Sequence, residues 1–237
     1  MTSERQMRRR TEAEEASSFL RSDLETLQSS LHQHGLVLDE RASERLHQFA
    51  ANLLRWNDRL NLLSRTDVEN VIKKHVAASL GVFLLATPGE GDAWIDVGTG
   101  AGFPGLVLKI ARPEINITLL DSARKRCLFL EDQVRTLQLG RVSVLQLRVE
   151  TLLGRGEGVG AYQVVTSRAV ASLSDTLANF GPLVAEGGRL ITFKGPQWQE
   201  EVDQVNTSGQ LQRSRFEFDR TVEVPWATGH ILLFKRS

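Results

Sequence analysis

A glycine-rich loop beside an acidic residue is the part of this sequence best suited to chemistry. Residues 96–105 read Asp-Val-Gly-Thr-Gly-Ala-Gly-Phe-Pro-Gly, between a short apolar run and a helical pattern. At such a turn, backbone N–H groups and a helix N-terminus point toward the same place. Glycine has no Cβ, so a ligand can approach the backbone closely. The segment therefore predicts a ligand site between a strand and its helix.

Two classes of ligand compete for this loop. Gly100, Gly102 and Gly105 match the G-x-G-x-x-G spacing of dinucleotide-binding folds, which is a weak signal alone. The tighter Gly98-x-Gly100-x-Gly102 spacing, with Asp96 two residues upstream, resembles class I S-adenosylmethionine (SAM) methyltransferases. A carboxylate there suits the cationic amino-acid end of SAM, whereas it would repel a pyrophosphate. We therefore favour SAM over a nicotinamide or flavin cofactor.

A second acid, Asp121, ends the next predicted strand. An acid at this point of a nucleotide-binding fold accepts hydrogen bonds from ribose hydroxyls, which either cofactor would use. A loop that only forms a tight turn does not require acids at both strand ends. The pair Asp96 and Asp121 thus favours a cofactor site.

The elements that position these residues are predicted from the sequence period. After residue 91, short apolar runs alternate with helical stretches such as 123–139 and 173–185, which is typical of βαβ units on a parallel sheet. The last two runs have no helix between them and predict an antiparallel hairpin. We expect an α/β fold of the class I SAM-dependent methyltransferase type, with a Rossmann-like, seven-stranded, mostly parallel sheet. The predicted strands are residues 93–97, 116–120, 142–145, 162–165, 189–193, 216–224 and 230–234.

Composition divides the chain into three segments. Residues 1–20 alternate charges with almost nothing apolar before Phe19, which predicts a flexible leader. Residues 21–90 carry apolar side chains at three- and four-residue spacing, which predicts an N-terminal helical extension with Asp39 as an N-cap. The Thr-Pro-Gly-Glu-Gly break near residue 90 separates it from a methyltransferase domain at 91–237.

Composition also excludes several classes of function. The 237 residues are 41% apolar and 24% charged, as in ordinary globular proteins. Lys+Arg and Asp+Glu both number 29, so a nucleic-acid partner needs a local basic surface. The single cysteine, Cys127, excludes an internal disulfide and a cysteine-based metal centre. No His/Asp/Glu cluster has metal-ligand spacing, and no apolar run reaches membrane-spanning length. We expect a cytoplasmic protein without a metal or a membrane segment.

The motifs that this chain lacks restrict which atoms can accept the methyl group. Methylation of an exocyclic amine usually employs an Asn/Asp-Pro-Pro-aromatic loop after the fourth strand, where this chain reads Thr-Ser-Arg-Ala at 166–169. Methylation of cytosine C5 needs a cysteine nucleophile in a loop, whereas Cys127 lies in a helical pattern and is interpreted as a buried residue. A ready lone pair, such as that of a ring nitrogen, remains as the acceptor.

Several motifs, in order along residues 24–235, resemble one family. They are residues 96–105, 119–122 with Lys125 and Arg126, 148–150, 167–173 and 193–195, and upstream Trp56, Asn57, Asn61, Leu62 and His75. They resemble the ribosomal RNA small-subunit methyltransferase G family, also called glucose-inhibited division protein B. The resemblance implies transfer of a methyl group from SAM to N7 of a guanine in 16S ribosomal RNA. The expected partner is thus 16S rRNA or the small ribosomal subunit.

The resemblance also implies roles for individual residues. Val149 and Glu150 would hold the adenine ring, and Arg168 would face both the cofactor and the target base. Arg168 and Lys194 are the catalytic candidates, through positioning of the guanine or of RNA phosphate, since N7 carries no proton and needs no general base. With the loop residues and the acids above, the expected cofactor-binding set is Asp96, Gly98, Gly100, Phe103, Asp121, Val149, Glu150 and Arg168.

The sequence departs from the family pattern at one position, and two other functions remain as alternatives. The family usually shows His-x-x-Asp-Ser where this chain has His75 followed by Ala78 and Ser79. Zero net charge favours a methyltransferase acting on a small molecule or a protein, and a retained fold without activity would give an RNA-binding assembly factor. RNA would be favoured if certain basic residues surrounded the cofactor mouth: Lys73, Lys74, Arg124, Lys125, Lys194 and Arg213.

Overall fold

Seven strands join into one sheet in the computed structural model, which describes residues 2–168 and 171–237, with the backbone alone for residues 2–16 and 65. The strands are β1 (Ala93–Val97), β2 (Asn116–Asp121), β3 (Val142–Gln146), β4 (Tyr162–Arg168), β5 (Val184–Lys194), β6 (Phe216–Glu223) and β7 (His230–Arg236). Their order in the sheet is β3-β2-β1-β4-β5-β7-β6. The first five are parallel, whereas β7 is antiparallel to both β5 and β6. The predicted α/β fold with an antiparallel C-terminal hairpin is confirmed.

Alternating side chains of the strands pack into two apolar layers, one on each face of the sheet. Trp94, Leu119 and Val164 belong to the layer that includes the N-terminal helices. Ile95 and Val165, one residue further along, belong to the layer on the opposite face. Burial on both faces explains why the central parallel strands read as continuous apolar runs rather than as alternating patterns.

Helices cover both layers. Those of the C-terminal part are α5 (Gly105–Ala111), α6 (Arg124–Thr136), α7 (Val149–Gly154), α8 (Leu173–Phe180), α9 (Trp198–Thr207) and α10 (Gln210–Ser214), with a 3-10 turn at Gly181–Leu183. The predicted helix over 173–185 is too long, because β5 already begins at Val184. Helices α7, α9 and α10 were not predicted.

The N-terminal part is helical, as expected. It contains α1 (Thr2–Gln33), α2 (Glu40–Leu60), α3 (Arg65–Val68), a π-helical stretch (Val71–Val76), α4 (Ala77–Leu80) and a 3-10 turn (Gly81–Leu84). Asp39 caps α2 as predicted, since its Oδ1 accepts a hydrogen bond of 2.6 Å from the Ala42 N–H.

The predicted boundary at residue 20 does not coincide with the end of a helix, while the flexibility of residues 1–20 stays a prediction. Helix α1 runs through residue 20 without a break. Its buried leucines, at helical spacing, start at Leu20 and continue through Leu24, Leu27 and Leu31, so packing holds its C-terminal half. Met1 lies outside the described residues.

The helical extension and the sheet share one core. Leu46 and Phe49 of α2 belong to the same apolar cluster as Leu106 of α5 and Leu119 of β2. The break near residue 90 therefore marks a change of element type, while the division into domains stays a prediction. Within the described ranges, none of the helices combines the length and apolar character that a membrane span requires.

Removal of the Phe49 ring should destabilise the whole protein. Phe49 is 0% exposed, and its ring centroid lies 5.6 Å from that of Phe103 in the glycine loop and 6.3 Å from that of Phe129 in α6. We expect Phe49→Ala to lower the free energy of unfolding by about 3–5 kcal/mol, measured by urea denaturation. Leu128→Ala, at a side chain that is 46% exposed, is the control and should cost less than about 1 kcal/mol. Equal losses in the two variants would contradict this account of the core.

Candidate functional site

The glycine loop that follows β1 is folded through three glycines in the left-handed region. The φ angles of Gly98, Gly100 and Gly102 are 71°, 59° and 92°, a conformation that L side chains rarely adopt. A Cβ on Gly105, where α5 begins, would lie 2.6 Å from Leu119 Cδ2 and 2.7 Å from Asp96 Cβ. The loop therefore requires glycine both for its turn and for its close packing on the sheet.

The two predicted acids each accept a hydrogen bond from the backbone of this loop. Asp121 Oδ2 accepts 2.9 Å from the Gly100 N–H, and Asp96 Oδ2 accepts 2.8 Å from the Gly105 N–H. Because β1 and β2 are parallel and in register, the sheet itself sets the separation of these two acceptors. The acids thus fix the loop from both sides.

Asp96 does not line the cleft beside the loop, contrary to its predicted contact with the cofactor. Its side chain is 0% exposed, and Oδ1 accepts 2.9 Å from the Thr166 hydroxyl on β4. Burial raises the pKa of this carboxyl to about 6, while its hydrogen bonds oppose the rise. Its place in the structure is that of an anchor beneath the loop.

An open cleft of about 610 Å³ lies at the carboxyl ends of the parallel strands. Seven of the predicted site residues line it: Gly98, Gly100, Phe103, Asp121, Val149, Glu150 and Arg168. Ligands of open α/β sheets bind outside the carboxyl ends of the strands, so the location is the one that the fold favours. The cleft brings together residues from the carboxyl ends of four neighbouring strands, β3, β2, β1 and β4.

Asp121 stands at the rim of this cleft with some accepting capacity left. Its Oδ1 accepts 2.8 Å from the Ala123 N–H, and its Oδ2 lies 3.3 Å from Arg126 Nη1. A carboxylate has about four acceptor positions, so it can still accept from a ligand hydroxyl. Its position agrees with the predicted role toward a ribose.

Phe103 connects the loop to the N-terminal helices. Its ring stacks on that of His75, with centroids 5.0 Å apart and planes at 29°. His75 Nε2 lies 3.3 Å from Asp67 Oδ1, in a geometry that makes no hydrogen bond. Burial and the nearby Arg168 charge lower the pKa of His75 to about 4, so its imidazole is neutral at pH 7.

Arg168 is the last residue of β4 and lines the cleft. Its Nη2 donates 3.5 Å to the Lys74 carbonyl, and its guanidinium lies 5.6 Å from the centre of the Phe193 ring. Among the described residues, no acceptor faces its buried Nη1. Burial lowers the pKa of this guanidinium from its ordinary value. A buried donor without a partner is suited to an acceptor that a ligand brings.

Lys194 does not line the cleft. Its side chain is 7% exposed, and its Nζ donates 2.9 Å to the Ala171 carbonyl and 2.8 Å to Glu201 Oε2. The same Glu201 oxygen accepts 2.6 Å from the Leu173 N–H. Lys194 and Glu201 therefore hold the segment that follows Arg168; of that segment, Ala169 and Val170 lie outside the described residues.

Several cleft residues were not predicted from the sequence. The residues that line the cleft without a predicted role there include Leu62, Leu63, Thr99, Ala101, Arg126, Leu147, Arg148, Asn179 and Phe180. Leu62 and Leu63 reach the cleft from the segment that follows α2; the family resemblance includes Leu62 but gives it no role. Cys127 is buried at 3% exposure, as predicted. Among the described residues, no group of three His, Cys, Asp or Glu side chains is arranged to hold a metal ion.

Comparison with known proteins identifies related sequences over most of the chain. A family model described as "rRNA small subunit methyltransferase G" matches residues 42–223. A protein named ribosomal RNA small subunit methyltransferase G from Staphylococcus carnosus is 34% identical over 218 residues, which are 90% of this chain and 91% of that protein. The protein of the same name from Roseiflexus sp. is 41% identical over 73% of this chain and 74% of its own length.

Solved structures with the same fold include a SAM-dependent methyltransferase from Aquifex aeolicus. The TM-score is 0.53 at 17% sequence identity, and the match covers 79% of this chain and 98% of that one. This similarity concerns the fold alone.

The titration of His75 should reduce stability in mild acid. Because the folded-state pKa of about 4 lies below the ordinary 6.5, the unfolded chain binds the proton first. The stabilisation is complete above pH 6.5 and is lost as the pH falls toward 4, by at most about 1.4 kcal/mol per pH unit. Urea denaturation at several pH values should show a steeper loss for the wild type than for His75→Gln. The raised pKa of Asp96 affects stability in the opposite direction, but Asp96 is present in both proteins, so its effect cancels in the comparison. Parallel pH profiles of the two proteins would contradict the lowered pKa of His75.

Proposed function

This chain belongs to the rRNA small subunit methyltransferase G family, and from that premise we propose that it transfers the methyl group of SAM to N7 of a guanine in 16S ribosomal RNA. The relatives are named for the small-subunit RNA, whereas the base and its N7 atom are part of our proposal. The observation that carries it is the cleft at the strand ends, with a glycine loop fixed by Asp96 and Asp121.

The residues of the cleft fit SAM in shape and in chemistry. A Cβ built on Gly100 would meet only the Gly98 carbonyl, at 3.9 Å, so the cleft side of the loop leaves room for a ligand. Asp121 would accept from the ribose, and the Val149 side chain gives an apolar wall for the adenine, beside Glu150. The unpartnered Nη1 of Arg168 would donate to a carboxylate or a carbonyl oxygen.

Catalysis at N7 needs positioning rather than proton removal. When bound, SAM supplies a methyl group on a sulfonium, which is activated toward a lone pair. Guanine N7 has such a lone pair and no proton, so no residue of this chain has to act as a general base. Arg168 would donate to O6 of the guanine, an acceptor that arginine commonly contacts, and this leaves the N7 lone pair free to attack the methyl carbon. Holding the two reactants in line can by itself lower the barrier by several kcal/mol.

Arginines give the cleft an anion-binding rim. Arg126, Arg148 and Arg168 line it. The basic residues named from the sequence do not: Lys73 pairs with Asp23, Lys74 with Asp67 and Lys194 with Glu201, while Arg213 donates to the Ser208 carbonyl. The clustering of these basic residues that would favour RNA over a small molecule or a protein is therefore not found at the cleft among the described residues. Arg126 itself lies 3.3 Å from Asp121 Oδ2. The choice of RNA as substrate rests on the family to which the chain belongs. A cytoplasmic location, where the RNA of the small subunit is found, belongs to the same proposal.

Methyl transfer to RNA tests the function directly. Protein, labelled SAM and small-subunit RNA should give labelled RNA, and borohydride with aniline should cleave the chain at a single N7-methylated guanine. A matched reaction with Asp121→Ala should be at least about 10-fold slower at low SAM, because the ribose loses its acceptor. Label at an exocyclic amine, on a protein, or on no substrate would contradict the proposal.

Lys194 should affect turnover and leave cofactor binding unchanged. Lys194→Ala removes the ties to Ala171 and Glu201 and loosens the segment after Arg168, so we expect kcat to fall about 10-fold or more. The dissociation constant of SAM, from calorimetry, should stay at the wild-type value. Glu201→Gln should reproduce part of the loss, while Glu200→Gln is the matched control. A collapse of SAM affinity in Lys194→Ala would reassign the residue to the cofactor site.

A further inference from the structure

Helices α2 and α6 lie side by side in opposite directions, and two pockets open along the seam between them. Arg45, early in α2, donates to the carbonyl of Gln138, just after α6, at 3.3 Å. Trp56 Nε1, later in α2, donates to Asp132 Oδ2 within α6 at 3.1 Å, so the two helices run antiparallel. The 21-residue α2 spans about 30 Å. It begins near the amino ends of β2 and β3 and ends beside the cleft, which Leu62 and Leu63 line. We call this seam the α2–α6 groove.

The lower end of the α2–α6 groove opens into a pocket with an excess of positive charge. The pocket has a volume of about 320 Å³ and is lined by Asp39, Arg41, Arg45, Lys109, Pro113 and residues 138–141, including Arg141. Asp39, its one carboxylate, already caps α2. Among the described side chains, the ion pairs involve none of the four basic residues of this pocket.

Lys109 is the buried part of this pocket. Its side chain is 1% exposed, and Nζ donates 2.6 Å to each of the Pro113 and Ile115 carbonyls. An ammonium group has three protons, so one more can be donated toward the pocket. Burial, and then the charge of Arg141, lower the pKa of Lys109 to about 8. Burial and the charge of Arg41 likewise lower the pKa of Arg45. An anion would relieve this crowding of positive charge.

Four arginines lie along one side of α2. Arg41, Arg45, Arg55 and Arg59 are separated by four, ten and four residues, which places them on the same side of the helix. Asn52, on that side as well, is buried and donates to Gln133 Oε1 at 3.0 Å. A second pocket of about 350 Å³, lined by Asn52, Arg55, Trp56, Arg59, Asp132 and Thr136, lies further up the groove. Net charge is zero for the whole chain, so this alignment is a local feature.

We propose that the α2–α6 groove binds the phosphate backbone of the RNA substrate and that the pocket around Lys109 receives one of its phosphate groups. The proposal rests on the function above, because the groove ends at the cleft where the target base must lie. Arginine and lysine contacts to phosphates position RNA without reading its sequence. The groove would therefore orient the substrate, while the cleft selects the base.

Arginine substitutions at the lower pocket test this role. Arg41→Gln/Arg45→Gln should raise the KM for small-subunit RNA about 10-fold at roughly 200 mM salt, with kcat and SAM affinity unchanged. The slope of log KM against log salt concentration should fall by about one for each phosphate that the variant no longer neutralises. Arg41→Lys/Arg45→Lys keeps the charge and should keep most of the RNA affinity. Arg155→Gln/Arg220→Gln removes the same charge from exposed positions elsewhere and is the matched control.

The possible outcomes distinguish RNA phosphate from free phosphate as the occupant of the pocket. They also distinguish a failure of this proposal from a failure of the proposed function. A second arm measures whether inorganic phosphate raises the melting temperature of the wild type more than that of Arg41→Gln/Arg45→Gln. A phosphate effect with an unchanged RNA KM would keep the anion site and overturn its assignment to RNA. An RNA KM and salt slope equal to those of the control pair, with no phosphate effect, would overturn the site altogether. A wild type that methylates no RNA would instead overturn the proposed function.

Discussion

The site depends on one constraint, which is that two carboxylates at neighbouring strand ends hold the backbone of a glycine loop. Asp121 accepts from the Gly100 N–H and Asp96 from the Gly105 N–H, at 2.9 and 2.8 Å. Since β1 and β2 are parallel and in register, the distance between these acceptors is a property of the sheet. The two hydrogen bonds therefore fix the shape of the loop, and Gly98 and Gly100 line the cleft. Asp96 serves the loop from within the core, whereas Asp121 serves both the loop and the cleft.

The N-terminal helices complete the site rather than merely precede it. Phe103 of the loop packs between Phe49 of α2 and His75, and Leu62 and Leu63 form one wall of the cleft. Because the sheet and α2 share one core, a loss of packing in either part would reach the loop. The same helix carries the arginines of the α2–α6 groove. The part of the chain outside the sheet thus contributes to the walls of the cleft, and in our proposal to RNA binding as well.

Local sequence predicted the strand pattern, the loop and its acids because these depend on short-range periodicity and on glycine. Local sequence did not predict which way a side chain points in the tertiary structure. The sequence pairs Asp96 with the cofactor, but the returning loop buries its carboxylate under Gly105. Lys194 is predicted to position the guanine or an RNA phosphate, but its Nζ donates to Glu201 on α9, a helix that was not predicted. Leu62 and Leu63 line the cleft together with residues at strand ends far along the chain, a placement that local periodicity does not predict.

Equilibrium binding of SAM to the wild type and to Gly105→Ala, measured by calorimetry, tests the central claim most directly. A Cβ at position 105 would meet Asp96 Oδ2 at 2.8 Å and displace the loop from its anchor, although that glycine lies outside the cleft lining. The account predicts saturable one-to-one binding by the wild type and at least about 10-fold weaker binding by the variant, with Gly195→Ala, in open space, as the unaffected control. Equal affinity in the wild type and Gly105→Ala, or no binding by the wild type, would contradict it.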